Sequence, residues 1–229
     1  RFQAVSISAH TAGLHKGYLK PASMNRRQFF IGSAILALAA CGKHRNRSQA
    51  LPKGSTALAL GDSLTYGYGA APAAAYPVQL AMLTGWKVIN GGVSGDTTAD
   101  ALARLPELMR QHPKLVIISI GGNDFLRKLP ESTTRANIGK IIQTVQTASI
   151  PAVLVAIPHF TVGALFGKLS DHPLYQEIAE QYRIPLLSGA WSEILGDKDL
   201  KSDQIHANAE GYRKFAELLK AFLEEQGLV

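Results

Sequence analysis

Cysteine is nearly absent: Cys41 is the only one in 229 residues. That excludes an intrachain disulfide framework and any site built from several cysteines. Acidic residues are missing from the first forty positions, which hold five of the 24 basic residues and none of the 17 acidic ones. The rest of the chain is close to balanced, so the net charge of +7 belongs to the N-terminal segment and does not mark a nucleic-acid surface. No apolar run reaches the length of a comfortable membrane span; the longest candidate is Phe29–Ala40. Two familiar glycine motifs are also lacking. The residue two after Ser63 is Thr65, so there is no Gly-x-Ser-x-Gly elbow. Neither Gly67-Tyr68-Gly69 nor Gly91-Gly92-Val93-Ser94-Gly95 has dinucleotide-fingerprint spacing. An apolar fraction of 46% with 18% charged residues is ordinary globular composition, enough for one sizeable domain.

What is present begins with an address. From Met24 the order is two arginines (Arg26, Arg27), the apolar stretch to Ala40, and small residues before Cys41. This is signal-peptide order. Leu38-Ala39-Ala40-Cys41 resembles a bacterial lipobox, and Asn25-Arg26-Arg27-Gln28-Phe29-Phe30 resembles a twin-arginine export signal. The expected organisation is translated sequence upstream of the true start at 1–23, a lipoprotein signal at 24–40, a polar tether at 41–55 and one folded domain at 56–229.

Within that domain five short apolar runs alternate with helical patterns. The runs are Ala57–Leu60, Lys87–Asn90, Leu115–Ile120, Ala152–Ile157 and Ile184–Leu187. Four helices are expected, around Ala101–Met109, Ile138–Val145, Leu174–Tyr182 and Tyr212–Phe222, the first opened by Thr97-Thr98-Ala99-Asp100 as a capping box. Such alternation predicts an α/β fold, a doubly wound parallel sheet with helices on both faces. The loops after the first three strands hold Gly61-Asp62-Ser63-Leu64, the run Asn90–Thr97 and Gly121-Gly122-Asn123-Asp124. Asp203-Gln204-Ile205-His206 stands before the last helix. In a parallel sheet these segments open at one edge.

A serine nucleophile needs a base and a partner that holds the base in its tautomer. Of seven histidines, only His206 has a carboxylate, Asp203, three residues earlier on a short loop. The same spacing serves a plain surface pair before a helix. Gly95 and Asn123 are candidates for donating to a developing oxyanion, and both residue types are also ordinary turn formers. Asp62 or Ser63 equally suits the cap of a following helix.

The four blocks in this order resemble the SGNH (GDSL) family of serine hydrolases, over most of the chain beyond Ala57. The likeness is strongest to the bacterial periplasmic thioesterase, lysophospholipase and arylesterase group. Gln204 and Ala207 depart from it, standing where family members often carry Gly and Pro. The resemblance implies a flavodoxin-like three-layer α/β/α sandwich with a five-stranded parallel sheet and a mechanism with neither metal nor cofactor. It implies a triad of Ser63, His206 and Asp203, and an oxyanion hole from the Ser63 and Gly95 N–H groups and the Asn123 side chain. The expected activity is hydrolysis of acyl esters or thioesters; the alternatives are a carbohydrate or peptidoglycan O-acetylesterase and a non-catalytic envelope lipoprotein. Expected partners are a small-molecule or lipid acyl ester and, through lipidated Cys41, a membrane of the bacterial envelope, with the domain outside the cytoplasm. Phe125, Leu126 and Phe160 are large apolar residues in loops at the expected catalytic edge. They either cover the core or line an acyl cleft, and in related thioesterases the segment after the asparagine block contacts the acyl chain.

Overall fold

The computed structural model describes residues 50–159 and 169–229. The expected leader, Cys41, most of the expected tether and Phe160 lie outside the described residues. Five parallel strands form one sheet in the order β2-β1-β3-β4-β5. They are β1 (Thr56–Gly61), β2 (Lys87–Gly92), β3 (Leu115–Ser119), β4 (Ala152–Val155) and β5 (Leu186–Leu187). Every residue of β3 is buried, as its unbroken Leu-Val-Ile-Ile-Ser run requires of a strand covered on both faces. All five expected runs became strands. The last is shorter than expected, because the Ile184 N–H closes onto the Ala179 carbonyl and Pro185 has no N–H to give.

The helices are α1 (Ser63–Tyr66), α2 (Tyr76–Thr84), α3 (Thr98–Met109), α4 (Gly122–Leu126), α5 (Glu131–Thr147), α6 (Leu174–Tyr182), α7 (Ala190–Gly196) and α8 (Ala209–Glu225). The strand order reverses direction after β2, so right-handed crossovers send α2 to one face and the next crossover helices to the other. α2, α7 and α8 accordingly pack together, while α3 and α6 pack on α5. The result is a three-layer sandwich. Among the described residues no helix is long and apolar enough to cross a membrane.

Two of the helices that the sequence reading did not identify, α2 and α7, supply the centre of the first face. α2 is apolar on both its buried and exposed sides, which erases the helical stripe, and α7 is two turns long. From them come Tyr76 and Trp191, both fully buried. Trp191 stacks on Phe215 at 3.7 Å between ring centroids, with Tyr76 edge-on to Phe215 at 4.7 Å. The Trp191 indole N–H donates to Ser119 Oγ at 3.1 Å, tying this cluster to the C-terminal end of β3.

Where β1 ends, Asp62 turns the chain into α1. Its Oδ1 accepts from the Leu64 N–H at 3.1 Å, so the capping role falls to Asp62 and leaves the Ser63 hydroxyl free for another partner. Gly92, at the end of β2, lets α1 lie directly on it, since a Cβ there would meet the Tyr66 nitrogen at 2.1 Å. Burial pushes the Asp62 carboxyl up to about 7, against the opposing effect of its backbone hydrogen bonds and with help from the charges of Asp96 and Asp124. The unfolded chain releases this proton near the ordinary carboxylate value, while the folded chain holds it until about pH 7. Stability should therefore fall as pH rises from about 4 to about 7 and level off above. Asp62→Asn, which keeps the cap acceptor, should flatten that decline by a few kcal/mol, on the order of 1.4 per pKa unit. Urea unfolding of both proteins across this range is the measurement, and parallel profiles would contradict it.

Candidate active site

Ser63 is the first residue of α1, so its N–H is one of the unpaired donors of a helix start. Its Oγ lies 2.9 Å from His206 Nε2, and His206 Nδ1 lies 2.7 Å from Asp203 Oδ2. The second Asp203 oxygen accepts from the backbone N–H groups of Ile205 and His206, each at 2.8 Å. The carboxylate is held from both ends. Partial burial works to raise its pKa, but the hydrogen bonds from His206 and Ile205 and the imidazole charge outweigh that and keep it below the usual value. Gln204 and Ala207 do not leave the loop open. Ser202 N–H donates to the His206 carbonyl at 2.9 Å, and Lys201 pairs antiparallel with Ala207. Tyr68 tilts against the imidazole at 4.5 Å and is itself held by Tyr212, whose hydroxyl donates to the Tyr68 carbonyl at 2.7 Å.

Gly95 and Asn123 come to the same place from β2 and β3, the two strands that flank β1. Together with Ser63, His206, Tyr68 and Leu126 they line a cavity of about 180 Å³. Gly95 adopts φ +88°, a left-handed conformation that favours glycine. Among the described residues no protein acceptor meets the Ser63 or Gly95 N–H. The Asn123 amide donates once, to the Asp96 carbonyl at 2.9 Å, which leaves its second N–H for the cavity. A Cβ on Gly121 would sit 2.5 Å from the Tyr175 hydroxyl, so the sharp entry into α4 needs glycine there.

Two charged side chains that the sequence reading gave no role hold these loops. Asp124 is buried, with Oδ2 accepting from the Thr98 N–H at 2.8 Å and Oδ1 from the Thr98 and Thr134 hydroxyls at 2.5 and 3.2 Å. It fastens α4 to the starts of α3 and α5. Arg104 donates to the Asp96 carboxylate at 2.8 Å and to the carbonyls of Gly91 and Gly61 at 3.1 and 3.3 Å. A signal for Arg104 existed in the sequence: it falls at helical spacing between Ala101 and Leu108, a charge within an apolar stripe.

Phe125 and Leu126, though adjacent, diverge. Leu126 lines the cavity. Phe125 turns away and stacks on His172 at 4.2 Å, packing behind the wall of the cleft. His172 serves the start of α6, its Nδ1 accepting from the Leu174 N–H at 3.2 Å. A larger groove beside α7 is lined by Asp171, Ser192 and Glu193, but Asp171 is already engaged by the Gly189 N–H and the Ser192 hydroxyl. Among the described residues that groove holds no serine-histidine pair.

The profile of the GDSL-like Lipase/Acylhydrolase family matches residues 59–214, which span all four blocks. Thioesterase 1/protease 1/lysophospholipase L1 of Escherichia coli K12 is 34% identical over 162 residues, 68% of this chain and 76% of that one. An arylesterase of Vibrio mimicus is 34% identical over 172 residues, 71% of this chain and 84% of its own. Among solved structures, the psychrotrophic esterase EstA of a Pseudoalteromonas species superposes with a TM-score of 0.65 at 26% identity, covering 75% of this chain and 97% of that one. With the family profile spanning well over half its length, the chain belongs to the GDSL-like lipase/acylhydrolase (SGNH) family of ester-bond hydrolases.

Proposed function

We propose that the protein is a serine esterase or thioesterase of the arylesterase and lysophospholipase type, working through an acyl-enzyme. The observation that carries this reading is the continuous relay Ser63 Oγ–His206 Nε2–Nδ1–Asp203, at 2.9 and 2.7 Å, opening into a cavity with unengaged N–H donors. In the proposed cycle His206 Nε2 takes the Ser63 proton as Oγ attacks the acyl carbonyl. Asp203 accepts from Nδ1–H and stabilises the imidazolium. The carbonyl oxygen becomes an oxyanion that receives the N–H groups of Ser63 and Gly95 and the amide of Asn123. His206 then protonates the departing alkoxide or thiolate, and a water activated by the same imidazole releases the acid and restores Ser63.

Ser63→Ala should lower kcat by about 10⁴-fold or more while leaving the melting temperature near wild type. Fluorophosphonate labelling should disappear with it. A variant that still labels and turns over would remove Ser63 from the mechanism.

The acyl group is proposed to lie along Leu126, the apolar side chain at the cavity mouth. Leu126 is only partly buried, so truncation forfeits part of the roughly 0.8 kcal/mol that each buried methylene contributes. Leu126→Ala should lower kcat/KM for an octanoyl ester about three- to tenfold and leave an acetyl ester nearly unchanged. Equal losses on both would mean that Leu126 only supports the fold. A wild-type enzyme restricted to acetate would point to the O-acetylesterase alternative.

The lipobox-like Leu38-Ala39-Ala40-Cys41 supports a further part of the proposal, a lipid anchor on Cys41 in the bacterial envelope. Cells fed labelled palmitate should incorporate it into the wild type and not into Cys41→Ser. Identical fractionation of the two, with no label in either, would leave the chain without that anchor.

A further inference from the structure

Exposed apolar side chains stand at the cavity and close to it in the chain: Tyr68 and Leu126 line it, and Tyr66, Val93 and Leu129 lie within a few residues of lining groups. Tyr66 and Tyr68 stand on one side, Val93 on the β2 loop, and Leu126 and Leu129 after Asn123, each with 38% to 55% of its surface exposed. They form one neighbourhood. The Tyr66 carbonyl accepts from the Asn90 side chain at 3.3 Å, Val93 N–H donates to the Gly61 carbonyl at 3.2 Å, and Arg127 reaches the Gly95 carbonyl at 2.7 Å. All lie at the C-terminal edge of the sheet. Singly exposed apolar residues are ordinary, but a group gathered beside one opening is characteristic of an interaction surface.

Charge distinguishes the kind of surface that would cover it. Residues 126–130 are all exposed and read Leu-Arg-Lys-Leu-Pro, two adjacent cations between two leucines, and Glu131, which follows, is paired with Arg135. The acids nearby are already occupied. Asp203 is bound to His206, Asp96 is paired with Arg104, and Asp100 closes the capping box with Thr97. Leucines beside lysine and arginine, flanked by tyrosines with apolar rings and polar tips, suit the boundary between head groups and acyl chains. The cavity itself is small, about 180 Å³, so it takes the ester and its near atoms while the rest of a lipid-sized substrate stays outside. A protein seated on this group would plug the opening. A lipid surface would feed it.

We propose that the group formed by Tyr66, Tyr68, Val93, Leu126 and Leu129, with Arg127 and Lys128, docks the cavity mouth onto an anionic lipid surface and draws acyl esters from it. The docking stands independently of turnover; only the delivery of substrate rests on the esterase reading above.

The test uses the full chain with Cys41→Ser and a single new cysteine, Val93→Cys, carrying an environment-sensitive fluorophore. A second label at exposed Lys140, midway along α5, is the control for attachment through any other part of the chain. Phosphatidylglycerol vesicles should shift the Val93 probe to the blue, while phosphatidylcholine vesicles should shift it little and the Lys140 probe should not respond. Adding Lys128→Glu and Leu129→Ser should weaken the vesicle response about tenfold or more, as expected for reversing one charge near an anionic surface. The same double variant, without the label, should hydrolyse dissolved p-nitrophenyl butyrate within about twofold of wild type and lose about tenfold on an ester embedded in anionic vesicles. The proposal is overturned if the Val93 probe does not shift, if both probes shift alike, or if the double variant loses both activities equally. A probe that shifts as expected in a protein that hydrolyses neither ester would leave docking standing and remove the esterase reading.

Discussion

The register of β1 between its two neighbours is the constraint on which the site depends. Gly61 is level with Gly92 of β2 on one side and with Ser119 of β3 on the other. Three segments of chain therefore leave the sheet at one height and on one edge. Ser63, Gly95 and Asn123 lie two, three and four residues beyond those level positions, near enough to share one cavity. A slip of one residue in either pairing would turn every side chain of that strand to the opposite face and carry one oxyanion candidate away from the serine. The buried β-branched run of β3 makes such a slip costly, because each of its side chains is matched to a helix layer.

Around that edge the protein carries buried polar groups that a core built for stability alone would leave out. Asp62, Asp124 and Thr98 are all buried, and Arg104 reaches beneath the loop to two strand-end carbonyls. Removing such groups from water is costly, and hydrogen bonding offsets the cost only where partners are in place. Here Asp124 has three donors and Arg104 three acceptors, so their loops have few alternative arrangements. Donors fixed before a reaction need no reorganisation as charge develops, and in the proposed cycle that would be the advantage of holding Gly95 and Asn123 this way. Asp62 is the exception. It keeps its cap bond, but burial, helped by the charges of Asp96 and Asp124, pushes its carboxyl up to about 7.

The aromatic cluster on the other face acts on the same edge from below. Trp191, from a helix near the C-terminus, reaches Ser119 at the end of β3, and Tyr212 from α8 steadies the segment whose Tyr68 ring meets His206. The last third of the chain thus supplies His206 and braces both the strand end and the aromatic neighbour of that imidazole.

Much of this was legible in the sequence because it is local. Strand runs, the helical stripes of α3, α5, α6 and α8, and the Thr97 capping box all arise from residues within a few positions of one another. Block order was legible too, because a parallel sheet sends successive strand ends to one edge whatever the details of packing. α2 and α7 were not, since one has no stripe and the other is too short to display one. Phe125 and Leu126 show the limit plainly: adjacent, both large and apolar, they read alike. Only the tertiary packing around α4 sends one onto His172 and the other to the cavity. The sequence by itself determined which strands form and which chemical groups reach their common edge, because hydrophobic periodicity and chain direction are properties of short segments. The tertiary structure alone decided how closely His206 approaches a serine 143 residues away and that Arg104 and Asp124 hold the loops around them. Those contacts depend on side-chain positions brought together by long-range packing, and nothing in the order of residues specifies a distance.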